Sequence, residues 1–229
     1  MVQSGSQKIL VVDDEEPILE LLRYNLEKEG YQVATATNGL LAVEKAKDFL
    51  PDLILMDIMM PEMDGVEACS QIRKIPELKN TFIIFLTARS EEYSEVAAFE
   101  VGADDYITKP IKPRALTSRL QAILRRDLKK ADEAGQLVFG DLVIDRTSYT
   151  ITLSGKEMVL TKKEFELLFY LAQHPNIVFS RDELLQKIWG LDVYVLARTV
   201  DVHVRKIREK IGDPFIVTVK GVGYKFNQR

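Results

Sequence analysis

Five side chains that could do chemistry stand at the ends of apolar runs. Asp13 and Asp14 follow KILVV, Asp57 closes LILMD, Thr87 closes FIIFLT, and Lys109 follows DYIT. If those runs are parallel strands, their carboxyl ends share one edge, where open α/β sheets bind ligands. Carboxylates brought that close repel one another unless a cation neutralises them. A ligand set of oxygens without His or Cys favours a hard ion, Mg²⁺ ahead of Ca²⁺. Such a site suits phosphoryl transfer. The metal and Lys109 hold equatorial phosphoryl oxygens while a carboxylate oxygen of Asp57 attacks in line, and Thr87 donates to the phosphoryl group. The segment DIMMPEMDG puts Pro61 and Gly65 in a loop beside Asp57. Taken singly, Asp13 or Asp14 could equally be a helix N-cap; only the combination points to phosphoryl chemistry.

The elements that must position these groups are legible in the first 126 residues. Strands are expected at KILVVD, QVATA, LILMD, FIIFLT and DYIT, and runs such as ILVV and FIIF read as strands buried on both faces. Ile18, Leu22 and Leu26 recur at helical spacing between Pro17 and Gly30, and further helices are expected near 39–49, 65–74, 91–101 and 113–126. Repeated strand–helix alternation implies a doubly wound parallel α/β sheet. Residues 127–136, DLKKADEAGQ, read either as a linker or as a frayed extension of the preceding helix. From Leu137 the pattern becomes antiparallel, with turn signals at Gly140 and Ser154-Gly155. Helices follow at 161–173, 180–189 and 198–211, and the chain closes with a hairpin, FIVTVKGVGYKF.

Composition narrows the function classes. The charge is −6 over residues 1–126 (15 Lys and Arg, 21 Asp and Glu) and +5 over 198–229 (8 against 3). An acidic first half and a basic tail suggest an anion-binding surface near the C-terminus. The last predicted helix buries one stripe, Val200, Val204, Ile207 and Ile211, and leaves Arg198, Arg205, Lys206 and Arg208 off it. The single cysteine, Cys69, excludes an internal disulfide and a cysteine metal cluster and reads as a small core residue. No apolar run approaches the roughly 18 residues of a membrane span, and MVQSGSQK lacks a hydrophobic signal segment. A cytoplasmic protein is expected.

The joint pattern VVDDEEP, MDIMMPEMDG, LTAR and DDYITKP resembles the receiver domain of bacterial two-component response regulators, over residues 8–126. LTKKEFELL, SRDELLQKIWG, RTVDVHVRKIREKI and VKGVGYKF resemble the winged-helix output domain of the OmpR/PhoB family. The resemblance implies a receiver over 7–126 with a five-stranded sheet in the order 2-1-3-4-5, a linker over 127–136 and an α+β winged helix-turn-helix domain over 137–229. It implies that Asp57 is the phosphoacceptor, that Asp14 ligates Mg²⁺ directly and Asp13 through water, and that the Met59 carbonyl completes the protein ligands. Lys109 pairs with the phosphoryl group, and Thr87 with Tyr106 forms a switch; by itself Tyr106 could be ordinary strand packing. Met59 and Arg89 lie where the family tunes hydrolysis, and neither activates water well, so a long-lived acyl phosphate is expected.

In the output domain the resemblance makes 198–211 the recognition helix. Arg205, Lys206 and Arg208 become candidates for the major groove or nearby phosphates, and Arg198, Thr199 and His203 for phosphates. His203 is as readily a packed core histidine. Lys220 approaches the minor groove, Tyr224 either touches DNA or packs under the wing, and Trp189 is core with a possible phosphate contact. The implied partners are a sensor histidine kinase, double-stranded DNA, RNA polymerase and a second copy of the chain. The polymerase would meet the apolar segment GLDVYVLA, and catalysis would be limited to the chain's own phosphorylation and dephosphorylation.

Two features depart from the family. A cross-dimer ion pair usual there meets Glu95 and Ala115, and the aromatic expected after Lys-Pro is Ile111. Glu100, Asp105, Arg119 and Arg126 are the remaining dimer-interface candidates. Rival readings are a constitutively dimeric regulator with a vestigial acidic site, and a phosphatase or phosphotransferase carrying a protein-interaction module.

Overall fold

The computed structural model describes residues 7–88, 101–130, 135–190 and 198–228. The helix expected near 91–101, Arg89, Glu95, Glu100 and nearly all of the 190–197 segment lie outside these, as does the side chain of Arg126. The chain divides into two compact units, residues 1–122 and 123–229.

The first unit is built on five parallel strands, β1 (Lys8–Val12), β2 (Gln32–Ala36), β3 (Leu53–Asp57), β4 (Phe82–Ala88) and β5 (Asp105–Lys109), in the order β2-β1-β3-β4-β5. The continuous apolar runs are buried on both faces as their composition requires: Ile9 to Val12, Leu53 to Met56 and Ile83 to Leu86 are inaccessible to solvent. Three crossover helices are α1 (Glu16–Lys28), α2 (Gly39–Phe49) and α3 (Gly65–Arg73). Local chemistry starts each of them. Pro17 occupies the first turn of α1, the Asn38 side chain accepts from Leu41 N at 2.8 Å, and that of Asp64 accepts from Glu67 N at 2.7 Å. Gly65 is required by close approach, because a Cβ there would fall 2.1 Å from the carbonyl oxygen of Asp57. That contact lets α3 begin directly behind the end of β3.

Helix α4 (Pro113–Lys130) runs four residues beyond its expected end, so DLKK continues the helix, and the two units divide within α4 rather than at the polar stretch. Leu, Lys and Lys are good helix formers, which favours the extension over a linker.

The second unit opens with an antiparallel sheet, β6 (Gln136–Phe139), β7 (Leu142–Asp145), β8 (Thr150–Leu153) and β9 (Lys156–Met158), joined by tight turns. Helices α5 (Lys162–Gln173), α6 (Arg181–Ile188) and α7 (Arg198–Ile211) follow. Capping boxes, Thr161 with Glu164 and Ser180 with Glu183, start α5 and α6. The C-terminal hairpin, β11 (Ile216–Val219) and β12 (Gly223–Phe226), gains a third strand, β10 (Phe179–Ser180), on β12. Two residues are too few to show alternation, which hid β10 in the sequence. A Cβ at Gly223 would lie 1.9 Å from the Phe179 carbonyl oxygen, so that pairing needs glycine.

Candidate phosphoacceptor site and nucleic-acid interface

The strand ends converge as the topology demands. Asp13, Asp14 and Asp57 each offer a carboxylate oxygen within 4.8 Å of the others. Lys109 Nζ reaches across the edge to Asp57 Oδ2 at 2.6 Å and Asp13 Oδ2 at 2.9 Å, with Glu15 Oε1 at 3.8 Å. The Lys109–Pro110 peptide is cis. Asp13 is fully buried, Asp57 nearly so, and Asp14 is open to solvent. Burial pushes the Asp13 carboxyl above its ordinary range, against the pull of Lys109 and the Glu15 amide. Burial also disfavours the Lys109 charge, but the carboxylates of Asp57 and Asp13 that the ammonium faces outweigh it and raise its pKa.

Neither aspartate caps α1 with its side chain. The N-cap is Glu15, whose amide donates to Asp13 Oδ1 at 3.0 Å. Asp13 Oδ2 is buried and makes an ion pair with Lys109 without hydrogen-bond geometry. One ammonium therefore faces two buried carboxylates while an oxygen stays under-satisfied. An all-oxygen donor set with a surplus of negative charge and an orphaned buried oxygen fits a hard divalent cation.

Around this pocket, Thr87 is buried near the end of β4 and pairs in register with Thr108. Tyr106 is 3% exposed, its ring packed inside the unit. Met59 has a 65% exposed side chain at the mouth of the loop after β3. Asp105 and Arg119, candidates for an interface between chains, are bonded to each other at 2.6 Å within the chain, with Asp105 buried. The sequence reading also missed a clamp behind the site. The Arg73 guanidinium donates to Asp104 Oδ2 at 2.6 Å, Gly102 O at 2.8 Å and Thr81 O at 2.6 Å. No periodicity or motif announces such a clamp, because its partners are mostly main-chain carbonyls.

The second site lies in the other unit. Helix α7 buries Val200, Val204, Ile207 and Ile211 against the core as expected. Arg198 and Arg205 are exposed and Lys206 partly so; Glu209 lies 3.6 Å from Arg205 and 3.5 Å from Lys206. Lys220 is exposed in the turn between β11 and β12. Four candidate contacts are engaged inside the unit, which for His203 and Tyr224 is the packed alternative that the sequence offered. Thr199 and His203 are each 3% exposed; His203 Nδ1 lies 2.9 Å from Thr199 O and its ring meets Trp189 edge-on at 4.9 Å. Both residues, with the buried Trp189, belong to the core side of α7 and present no side chain to a phosphate.

Tyr224 is buried under the wing, its hydroxyl donating to Asp201 Oδ1 at 2.6 Å. Burial, then that carboxylate, raises its pKa and keeps it a donor. Arg208 is turned to the wing, donating to Ile216 O at 2.8 Å and Thr218 Oγ1 at 2.7 Å. The sequence pattern placed Arg208 off the apolar stripe correctly, but it could not show that a strand lies on that side.

Comparisons agree with both halves. Residues 9–121 match the family described as response regulator receiver domain, and residues 155–226 the family described as transcriptional regulatory protein, C terminal. The chain is 44% identical to the alkaline phosphatase synthesis transcriptional regulatory protein PhoP of Bacillus subtilis, covering 97% of this chain and 98% of that protein. It is 45% identical to the transcriptional regulatory protein ResD of the same organism, covering 99% and 98%. Among solved structures, a RitR cysteine mutant superposes with a TM-score of 0.77 at 26% identity, across 97% of this chain and 100% of that one. A two-component response regulator from Clostridium difficile superposes with a TM-score of 0.50 at 31% identity, across 53% of this chain and 98% of that one. No described helix is long and apolar enough to cross a membrane. A receiver fold with its acidic edge intact, joined to a winged-helix unit with a cationic α7, places this chain among the two-component response regulators of the OmpR/PhoB family, DNA-binding regulators of transcription.

Proposed function

We propose that this regulator is switched by phosphorylation of Asp57, with a sensor histidine kinase as donor. The observation that carries this is the short Lys109–Asp57 contact of 2.6 Å beside a buried, under-satisfied Asp13. An Asp57 carboxylate oxygen attacks the phosphorus of a phosphohistidine. The P–N bond breaks, the imidazole leaves with the bond pair and takes up a proton, and an acyl phosphate remains on Asp57. Asp13, Asp14, Asp57 and the Met59 carbonyl would hold Mg²⁺, which supplies charge neutralisation of the transferring group when bound. Lys109 then exchanges its contact with the Asp57 carboxylate for a phosphoryl oxygen, and the Thr87 hydroxyl donates to another. Movement of Thr87 alters the packing beside Tyr106, whose ring already lies inside the unit, and so changes the surface shared by β5 and α4. Exposed Met59 offers no group to activate water, which supports a long-lived acyl phosphate.

Phosphorylated chains then pair and set two winged helices on adjacent half-sites, so that affinity rises through effective concentration without new base contacts. Arg198, Arg205 and Lys206 supply phosphate or guanine contacts along α7, and Lys220 reaches the neighbouring minor groove. The apolar 190–197 segment stays, on its sequence, the candidate surface for RNA polymerase. Incubation with a small phosphodonor and Mg²⁺, followed by intact-mass measurement, tests the chemistry. One phosphoryl adduct on the wild type and none on Asp57→Ala is expected; an adduct on Asp57→Ala would refute the assignment.

A further inference from the structure

Three elements of the output unit meet on one carboxylate. Arg181 opens α6, Asp201 lies in the first turn of α7, and Tyr224 sits in β12, the central strand of the wing sheet. Arg181 Nε and the Tyr224 hydroxyl both donate to Asp201 Oδ1, each at 2.6 Å, and Arg181 Nη2 lies 3.3 Å from the Tyr224 hydroxyl. The phenol ring is flanked by the guanidinium groups of Arg181, 5.0 Å from its centroid, and Arg208, 5.8 Å from it. Arg208 in turn donates to Ile216 O and Thr218 on β11. Helix α7 is thus fastened to β12 at its first turn and to β11 at its third, and Lys220 stands in the turn between those strands.

Taking α7 and Lys220 as DNA contacts, we propose that Tyr224 and Arg181 are positioning residues for recognition. They fix the wing relative to α7, so that Lys220 and the α7 cations meet the duplex together. The wing sheet is small, with a third strand of only two residues, and so small a sheet depends on packing against a helix for its position. Without these ties the turn that carries Lys220 would be less firmly placed against α7. The advantage of a tethered second contact depends on its being held within reach. Tyr224 then acts on DNA only through Lys220, which separates this role from a direct phosphate contact by a neutral phenol.

The test is a double-mutant cycle in the full chain. The probe is a duplex selected from a random pool by the wild-type protein. Wild type, Lys220→Ala, Tyr224→Phe and the double variant are titrated across a salt series. Tyr224→Phe is expected to lose most of the affinity factor that Lys220→Ala loses, and to add little in the double variant. The slope of log K against log salt should fall in Tyr224→Phe by nearly as much as in Lys220→Ala, about 0.9. Circular dichroism melts check folding. If Tyr224→Phe melts early, Arg181→Lys, which keeps the charge but loses the Nε bond, takes its place with the same expectation.

Multiplicative losses, an unchanged salt slope in Tyr224→Phe, or full affinity in Lys220→Ala would each overturn the positioning role. Failure of the wild type to select any duplex would instead overturn the DNA-contact reading itself.

Discussion

The receiver edge and the wing junction use the same parts, carboxylates facing cations, to opposite ends. At the receiver edge one ammonium serves Asp13 and Asp57, and a buried oxygen of Asp13 is left without a hydrogen bond. At the wing junction one oxygen of Asp201 accepts two donors, and the cation beside it is also satisfied. Unmet hydrogen-bonding capacity marks the first as a place where something binds. One carboxylate oxygen shared by two short donors from different elements marks the second as scaffold. Residue type alone does not separate the two, since both combine Asp with Lys or Arg.

That contrast can be broken by substitution. The largest effect belongs to Asp57→Ala, which should abolish phosphoryl incorporation from a small donor while the chain still folds; an intact-mass spectrum reads it directly. Next comes the Arg73 clamp, where the guanidinium and the Asp104 carboxylate satisfy each other in the interior. Arg73→Ala removes the cation that faces that buried carboxylate and leaves it the Ile83 amide at 2.9 Å, and should cost about 3–5 kcal/mol in urea unfolding of the receiver unit. A loss well under this range would mean that the clamp is dispensable.

Asp13→Asn should act in the opposite direction. The folded-state pKa of Asp13 is raised, so the folded chain binds this proton more tightly than the unfolded one. Its stabilising contribution is present at low pH and is lost as pH rises from the unfolded value through the folded one. At neutral pH without metal, Asn removes that penalty and should raise the melting temperature. Adding Mg²⁺ should stabilise the wild type more than Asp13→Asn and so narrow the gap. Thermal melts with and without Mg²⁺ measure both, and a lower melting temperature in metal-free Asp13→Asn would contradict the account of the orphaned oxygen. The smallest effect is expected from Met59→Asn, which places a polar side chain beside the pocket and should shorten the acyl-phosphate lifetime.

The receiver was readable because its determinants are local and repeated. Each buried strand is a run of apolar residues, and the functional groups sit where those runs stop, so the sheet-edge rule finds Asp13, Asp57, Thr87 and Lys109 together. The output unit was readable as elements but not as contacts. The stripe Val200, Val204, Ile207 and Ile211 gives the buried side of α7, yet a period of 3.6 leaves the flanks ambiguous. Thr199 and His203 fall on the core flank and Arg208 under a strand whose position depends on pairing far along the chain. Buried polar groups such as Lys163, which donates to Ile188 O at 2.6 Å, were invisible for the same reason. Their partners are main-chain atoms brought near only by the tertiary fold.

Signal passage from the acidic edge to the DNA-binding unit is most directly tested by DNA affinity with and without a small phosphodonor and Mg²⁺. Wild type and Asp57→Ala should be titrated in parallel on the same selected duplex. The account predicts that phosphodonor tightens binding by the wild type and leaves Asp57→Ala unchanged. Equal tightening in both proteins, or none in a wild type shown by mass to be phosphorylated, would contradict it.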